Sequence, residues 1–264
     1  ADPSNPQQSP TYAAMIHSLD DNVGKMLDAL DRLGIVDNTV IIFYSDNGGN
    51  MYNMVDGDHT ATSNAPLRGG KATMYEGGIR VPAIVSWPGV TNGGTTNSAL
   101  IQSEDIYPTI LGMAGAPPRP EQACDGLSMI PALRGQKPLR DSITCYFPHG
   151  PKVPDWLPPS VCTRQGDWKL IRVFHDAPDQ AHRYELYNLA DDLGERRNLA
   201  AEQPQRVRQL DALIEQFLAD TGAVVPKPNP NYDSKAVESA GGWRVSGEAR
   251  VGLSWTTLQV RSFS

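Results

Sequence analysis

The segment Thr39-Val40-Ile41-Ile42-Phe43-Tyr44 constrains this chain more than any other stretch. It is apolar without alternation and rich in β-branched residues. A strand here is apolar on both faces, which suits a sheet covered by helices on both sides. A helix precedes it: Met15, Ile16, Leu19, Val23, Met26, Leu27, Leu30 and Leu33 recur at steps of three and four, an amphipathic stripe, and Gly34 after the last suits a C-terminal cap. The strand stops at Ser45-Asp46-Asn47-Gly48-Gly49, a polar turn. Helix, short connection, buried strand and turn together predict an α/β unit.

Residues 50–78 carry no clean period and many Gly, Asn, Asp and Thr, which predicts a long loop, and loops of that length are often functional. Val81–Trp87 reads as a second strand closed by Pro88-Gly89, and Ser103 as the cap of a helix through Ile106, Ile110, Leu111 and Ala114. Residues 116–141 are a Pro-rich passage. Beyond them come strands at 142–147, 160–165, 168–174 and 184–188, with Gly166-Asp167 at a hairpin turn. A helix follows with Val207, Leu210, Leu213, Ile214, Phe217 and Leu218 on one face. Strands followed by a helix predict a small α+β subdomain with an antiparallel sheet. The expected division is therefore 1–140, 141–222, and a linker and tail over 223–264 that opens on Val225-Pro226-Lys227-Pro228-Asn229-Pro230.

Composition narrows the classes. Gly 24 and Pro 22 among 264 residues favour ordered loops over a helical bundle. A formal net charge of −7 argues against a nucleic-acid-binding surface, and no apolar run reaches the roughly 18 residues of a membrane-spanning helix. Cys124, Cys145 and Cys162 form no CxxC pair and no zinc pattern; Cys145 and Cys162 can pair only if they lie on neighbouring strands, and unpaired buried thiols are the expectation. The first residues lack the basic and apolar regions of a signal peptide and read as an opened linker.

Three places can carry chemistry. Asp46-Asn47 sits at the carboxyl end of the first strand, the edge where α/β sheets bind ligands, and offers two hard oxygen donors suited to Ca²⁺ or Mg²⁺. On its own, Asp-Asn-Gly-Gly reads first as turn chemistry. Lys71 follows Arg68-Gly69-Gly70 in a window, 64–82, whose three cations (Arg68, Lys71, Arg80) outnumber its one anion (Glu76). A compact ammonium beside glycines suits a sulfate or phosphate oxygen, while a solvated loop lysine is the bland alternative. Arg80 and Glu76 can instead pair to shape the loop. His59 and His149 are single loop histidines able to donate to a substrate, and Asp191, Asp192 and Glu195 read as a turn with ordinary surface charge.

Taken in order, several segments resemble the C-terminal half of a type I sulfatase of the alkaline-phosphatase-like superfamily. They are Tyr12 through Gly24 (YAAMIHSLDDNVG), Asp37-Asn38-Thr39, Ser45 through Gly49, Lys71 through Pro82 (KATMYEGGIRVP), Trp87-Pro88-Gly89, Asp105 through Ile110, Asp125 through Ser128, Trp168-Lys169-Leu170 and Glu185 through Leu189. The likeness runs over about residues 11–221 in the family's own order, far more specific than any single motif. It implies a partial alkaline-phosphatase-like mixed sheet flanked by helices. It also implies that Asp46 and Asn47 are the second pair of ligands to a Ca²⁺ ion, in preference to Mg²⁺, and that Lys71 contacts the sulfate. Arg68, His59 and His149 are the further expected substrate contacts.

The family's nucleophile is a formylglycine made in a Cys/Ser-x-Pro-x-Arg motif, and no such motif occurs in these 264 residues. The resemblance therefore implies a sulfuric ester hydrolase portion, inert alone, whose nucleophile, first acidic metal pair and Lys-x-His segment belong to a missing N-terminal half. Its substrate would be a sulfate ester, with carbohydrate sulfates in view, and family habit puts it in the periplasm or outside the cell. A phosphonate or phosphate monoester hydrolase of the same superfamily, or a non-catalytic binding protein on a decayed sulfatase scaffold, are the alternatives.

Overall fold

The structure is a computed structural model and describes residues 9–52, 54–56, 59–60, 62–117, 119–136, 140–150, 159–177 and 180–230. Its elements are α1 (Pro10–Leu33), β1 (Ile41–Tyr44), β2 (Met54–Asp56), β3 (His59–Thr60), α2 (Glu76–Ile79), β4 (Ala83–Ser86), α3 (Ile106–Met113), α4 (Ile130–Leu133), β5 (Ser142–Phe147), β6 (Ser160–Gln165), β7 (Trp168–Val173), β8 (Arg183–Asn188) and α5 (Pro204–Asp220). They fall into two units. Among the described residues one holds Pro10–Asp46 and Val81–Ile143; the other holds Asn47–Arg80 and residues 144–230. The long loop after β1 thus groups with the later strands.

In the first unit β1 and β4 pair antiparallel, from Ile41 opposite Ser86 to Tyr44 opposite Ala83. The expected burial of both faces of β1 is not found: Phe43 and Ile84 are exposed, and α1 buries none of its residues. Phe43 and Ile84, opposite each other across the pair, stand in solvent, while Ile41, Ile42 and Tyr44 are only half-buried. What anchors this unit is polar. The Asp105 carboxylate is buried and accepts the backbone N–H groups of Gln102 and Leu127, each at 2.8 Å. It also takes a bidentate pair from Arg140, at 2.8 and 2.6 Å. The cap of this turn is Gln102 with Asp105 three residues on, in place of the expected Ser103. Thr109 Oγ1 donates to Asp105 O and accepts the Met129 N–H, tying α3 to α4.

The second unit is built on a four-stranded sheet in the order β5-β6-β7-β8. β6 and β7 are antiparallel from Ser160 opposite Val173 to Gln165 opposite Trp168, joined at Gly166, whose φ of 58° is the left-handed backbone that glycine adopts freely. β7 and β8 continue antiparallel, with Leu170 opposite Leu186. Alternation sorts the side chains to two faces. Val161, Leu170 and Leu186 pack with Leu210, Ile214 and Leu218 of α5. On the opposite face Cys162, Ile171, Val173 and Tyr187 pack with Met74 and Tyr75 from the segment before α2. All three cysteines are thiols rather than disulfides; Cys162 is buried, Cys145 half-buried and Cys124 exposed. The segment expected as one loop over 50–78 contains the β2–β3 hairpin and begins the single turn of α2.

Candidate active site

Backbone contacts bring the turn after β1 against the loop of Lys71. Gly48 N–H donates to Gly78 O at 2.9 Å, and Lys71 N–H donates to Gly49 O at 3.2 Å, two residues beyond Asn47. Asn64 stitches the same place: its Oδ1 accepts the Gly49 N–H at 3.1 Å, and its Nδ2 donates to Gly49 O at 2.9 Å and Gly69 O at 3.0 Å. Only glycine permits this approach, because a Cβ on Gly48 would stand 1.7 Å from Gly77 O.

Lys71 itself is exposed, and among the described residues its ammonium has no hydrogen-bonded or ionic partner. Ala72 next to it has φ of 73°, a left-handed backbone that costs a residue with a Cβ about 1–2 kcal/mol. Such strain persists where the surroundings over-determine the chain, as at ligand sites. Asp46 is exposed and Asn47 half-buried, with the Asn47 Nδ2 donating to Gly48 O at 3.0 Å.

Beneath the loop lies a cluster of buried charges. Arg164 of β6, Lys169 of β7 and Glu185 of β8 project from the sheet face that carries Cys162, Ile171 and Tyr187. Lys169 Nζ lies 2.9 Å from Glu76 Oε1 and 2.8 Å from Glu195 Oε1, and each of these side chains is 3% exposed or less. Burial works against the Lys169 charge, but Glu195 and Glu76 together hold its titration above the ordinary lysine value. Burial also pushes at the Glu76 carboxyl, yet Lys169, with Arg164 and Arg80 behind it, brings it below the usual glutamate value. The expected Arg80–Glu76 pair is present at 3.5 Å. For Glu195 burial prevails over Lys169, and its carboxyl is raised.

Arg68 was expected to meet substrate. It donates to Tyr187 Oη at 3.2 Å and Glu195 O at 2.9 Å, and its guanidinium stands over the Tyr75 ring at 3.8 Å. Tyr75 and Tyr187 both donate to Glu185 Oε2, and burial beside that carboxylate pushes both phenols up. His149 is exposed and edge-on to Phe147. The His59 side chain lies outside the described residues.

The expectation of surface charge at Glu195 is overturned, since it is fully buried. Lys169 and Glu195 are the residues sequence reasoning passed over. A signal existed for the first: Lys169 shares strand parity with Ile171 and Val173, an in-phase charge on a core face. Among the described residues no three His, Cys, Asp or Glu side chains gather as a metal site.

Comparison with known proteins settles the class. The sulfatase family profile matches residues 1–116, and that of the N-sulphoglucosamine sulphohydrolase C-terminal region matches residues 70–221. The chain belongs to the sulfatase family, whose members are by family hydrolases. A sulfatase of Formosa agariphila is 40% identical over 209 residues, covering 74% of this chain and 36% of that protein. The crystal structure of Ps i-CgsB in complex with k-i-k-neocarrahexaose matches with a TM-score of 0.64 at 28% identity, over 78% of this chain and 42% of that one. A phosphonate monoester hydrolase of Agrobacterium radiobacter shares the fold, with a TM-score of 0.58 at 24% identity over 78% and 40% of the two chains. The fold is thus α/β and alkaline-phosphatase-like, and the chain spans well under half the length of these relatives.

Proposed function

We propose that this chain supplies the sulfate-contacting lysine and two metal ligands of a sulfatase active site acting on sulfate esters of carbohydrates. The observation that carries this is the exposed Lys71 on a strained, glycine-cradled loop, hydrogen-bonded to the turn that follows Asp46 and Asn47. An ammonium with no partner among the described residues is ready for an anionic ligand, and a sulfate ester presents tetrahedral oxygens to it. As the ester bond breaks, charge grows on the leaving oxygen, and a preplaced ammonium stabilises that charge more than it does the ground state. The neocarrahexaose bound by Ps i-CgsB supports the carbohydrate class.

Asp46 and Asn47 fit Ca²⁺ in the chemistry of their donors, a carboxylate and an amide oxygen. Two residues are fewer than the six to eight oxygens Ca²⁺ takes, so the remaining ligands come from outside this pair. When bound, the metal would neutralise sulfate oxygens and help activate the nucleophile. We place the Cys/Ser-x-Pro-x-Arg motif that forms formylglycine on an upstream segment of the same polypeptide, so this chain alone is inactive. No described helix is long and apolar enough to cross a membrane, and we place the protein in the periplasm or outside the cell.

The test is to express the chain in one polypeptide with an upstream half bearing the motif, and to assay an aryl sulfate with and without chelator. Lys71→Ala should lower kcat/KM by about 10²–10³-fold, and Asp46→Ala should remove the response to added Ca²⁺. Turnover that ignores chelator, or that survives both substitutions, overturns the assignment. A phosphonate or phosphate monoesterase is the second reading, favoured by the fold shared with the Agrobacterium enzyme. A phosphonate rate exceeding the sulfate rate would select it.

A further inference from the structure

The two ends of the Lys71 loop converge on one residue. At the leading end, Arg68 donates from its guanidinium to Glu195 O at 2.9 Å. At the trailing end, Glu76 donates its backbone N–H to Glu195 Oε2 at 2.6 Å. The loop is closed on itself between them, since Gly77 N–H donates to Arg68 O at 2.7 Å. Glu195 therefore offers its carbonyl to one end and its carboxylate to the other.

Its backbone has φ of 52°, a left-handed conformation that a residue with a Cβ adopts at a cost, and its side chain is fully buried. A turn that needed only a polar surface residue would have no use for either feature. The Glu195 carboxylate is in turn fixed by Lys169, which also grips the Glu76 side chain. Among the described residues Glu76 Oε2 makes no hydrogen bond and faces Arg80 at 3.5 Å and Arg164 at 3.9 Å, at the loop's edge.

We infer that Glu195 and Lys169 are positioning residues for Lys71, a buried clamp that fixes both ends of its loop, and hence its ammonium, against the sheet. The inference rests on the reading of Lys71 as the sulfate contact.

The experiment is a double-mutant cycle in the full polypeptide with the upstream half, read as kcat/KM for an aryl sulfate. With Lys71 present, Glu195→Ala removes the acceptor for the Glu76 amide and should lower kcat/KM by about 10²-fold, the scale of a misplacement of about 1 Å. In a Lys71→Ala background the same substitution should cost less than about three-fold, because the group it positions is gone.

Glu195→Gln keeps the volume and a carbonyl acceptor while removing one of the two carboxylates paired with Lys169. It should recover about ten-fold of the Glu195→Ala loss. If Glu195→Ala is too unstable to purify, Glu195→Gln and Lys169→Met carry the same cycle, with an expected loss of about ten-fold confined to the Lys71 background. An equal loss in both backgrounds, with no recovery by Gln, marks general destabilisation and overturns the clamp. A silent Lys71→Ala is a different failure: it removes the parent reading first and the clamp with it.

Discussion

The two units are held together in opposite ways. In the one that carries Lys71, Val161, Leu170, Ile171, Leu186 and Ile214 are fully buried, on two faces of a sheet covered by α5 and by the Lys71 loop. In the other, Met129 and Ala132 are the only buried hydrophobic residues among those described, while Met15, Leu33 and Ile84 stand more than half exposed. Its order comes from Asp105, a carboxylate satisfied by two amides and an arginine. Large apolar side chains contribute stability only where something covers them. The unit that carries Lys71 covers its own, whereas the unit of β1 and β4 depends on a polar anchor. A loop that must hold an ammonium in place is therefore carried by the unit with the complete core.

This contrast can be broken by substitution, beginning with the largest effect. Ile214→Ala empties a fully buried site between α5 and the sheet and should cost about 3–5 kcal/mol, read by urea unfolding of that unit. Ile84→Ala in the other unit should cost less than about 1 kcal/mol, and a loss as large as that of Ile214→Ala would end the comparison.

Arg140→Leu should cost about 2–3 kcal/mol, because Asp105 keeps its two amide donors but loses its one charged partner among the described residues. If Arg140→Leu proved as mild as Ile84→Ala, the polar anchor would not be what orders that unit.

A pH series tests the buried cluster with a smaller effect. The Glu76 carboxyl titrates below its unfolded value of 4.5, so its contribution is fully present above that pH and is lost as pH falls through the lower folded value. Glu195 has the opposite sign. Its raised carboxyl favours the folded state at acid pH, and that advantage is lost as pH rises from 4.5 through the folded value. Glu76→Gln should accordingly flatten the fall in stability below about pH 4.5, and Glu195→Gln should flatten the fall above it. Equal pH profiles for wild type and Glu76→Gln would remove the ionic role of the cluster. Smallest of all, Leu33→Lys on exposed α1 should change the stability of this chain by less than about 0.5 kcal/mol.

What could be read in advance followed from local rules. The step of three and four from Met15 to Leu33 specifies α1, and β-branched runs around Gly166-Asp167 specify the β6–β7 hairpin almost to the residue. Each of these features depends on neighbours a few positions away, so the amino-acid order contains them.

Only the tertiary structure decided which charges are buried. Glu195 looks like any polar turn residue until the fold places Lys169 and the Glu76 amide beside it. Phe43 and Ile84 look like core until the pair places them opposite each other on an exposed face. Burial is a property of what long-range pairing brings alongside, and period and composition carry no record of partners so distant in the chain.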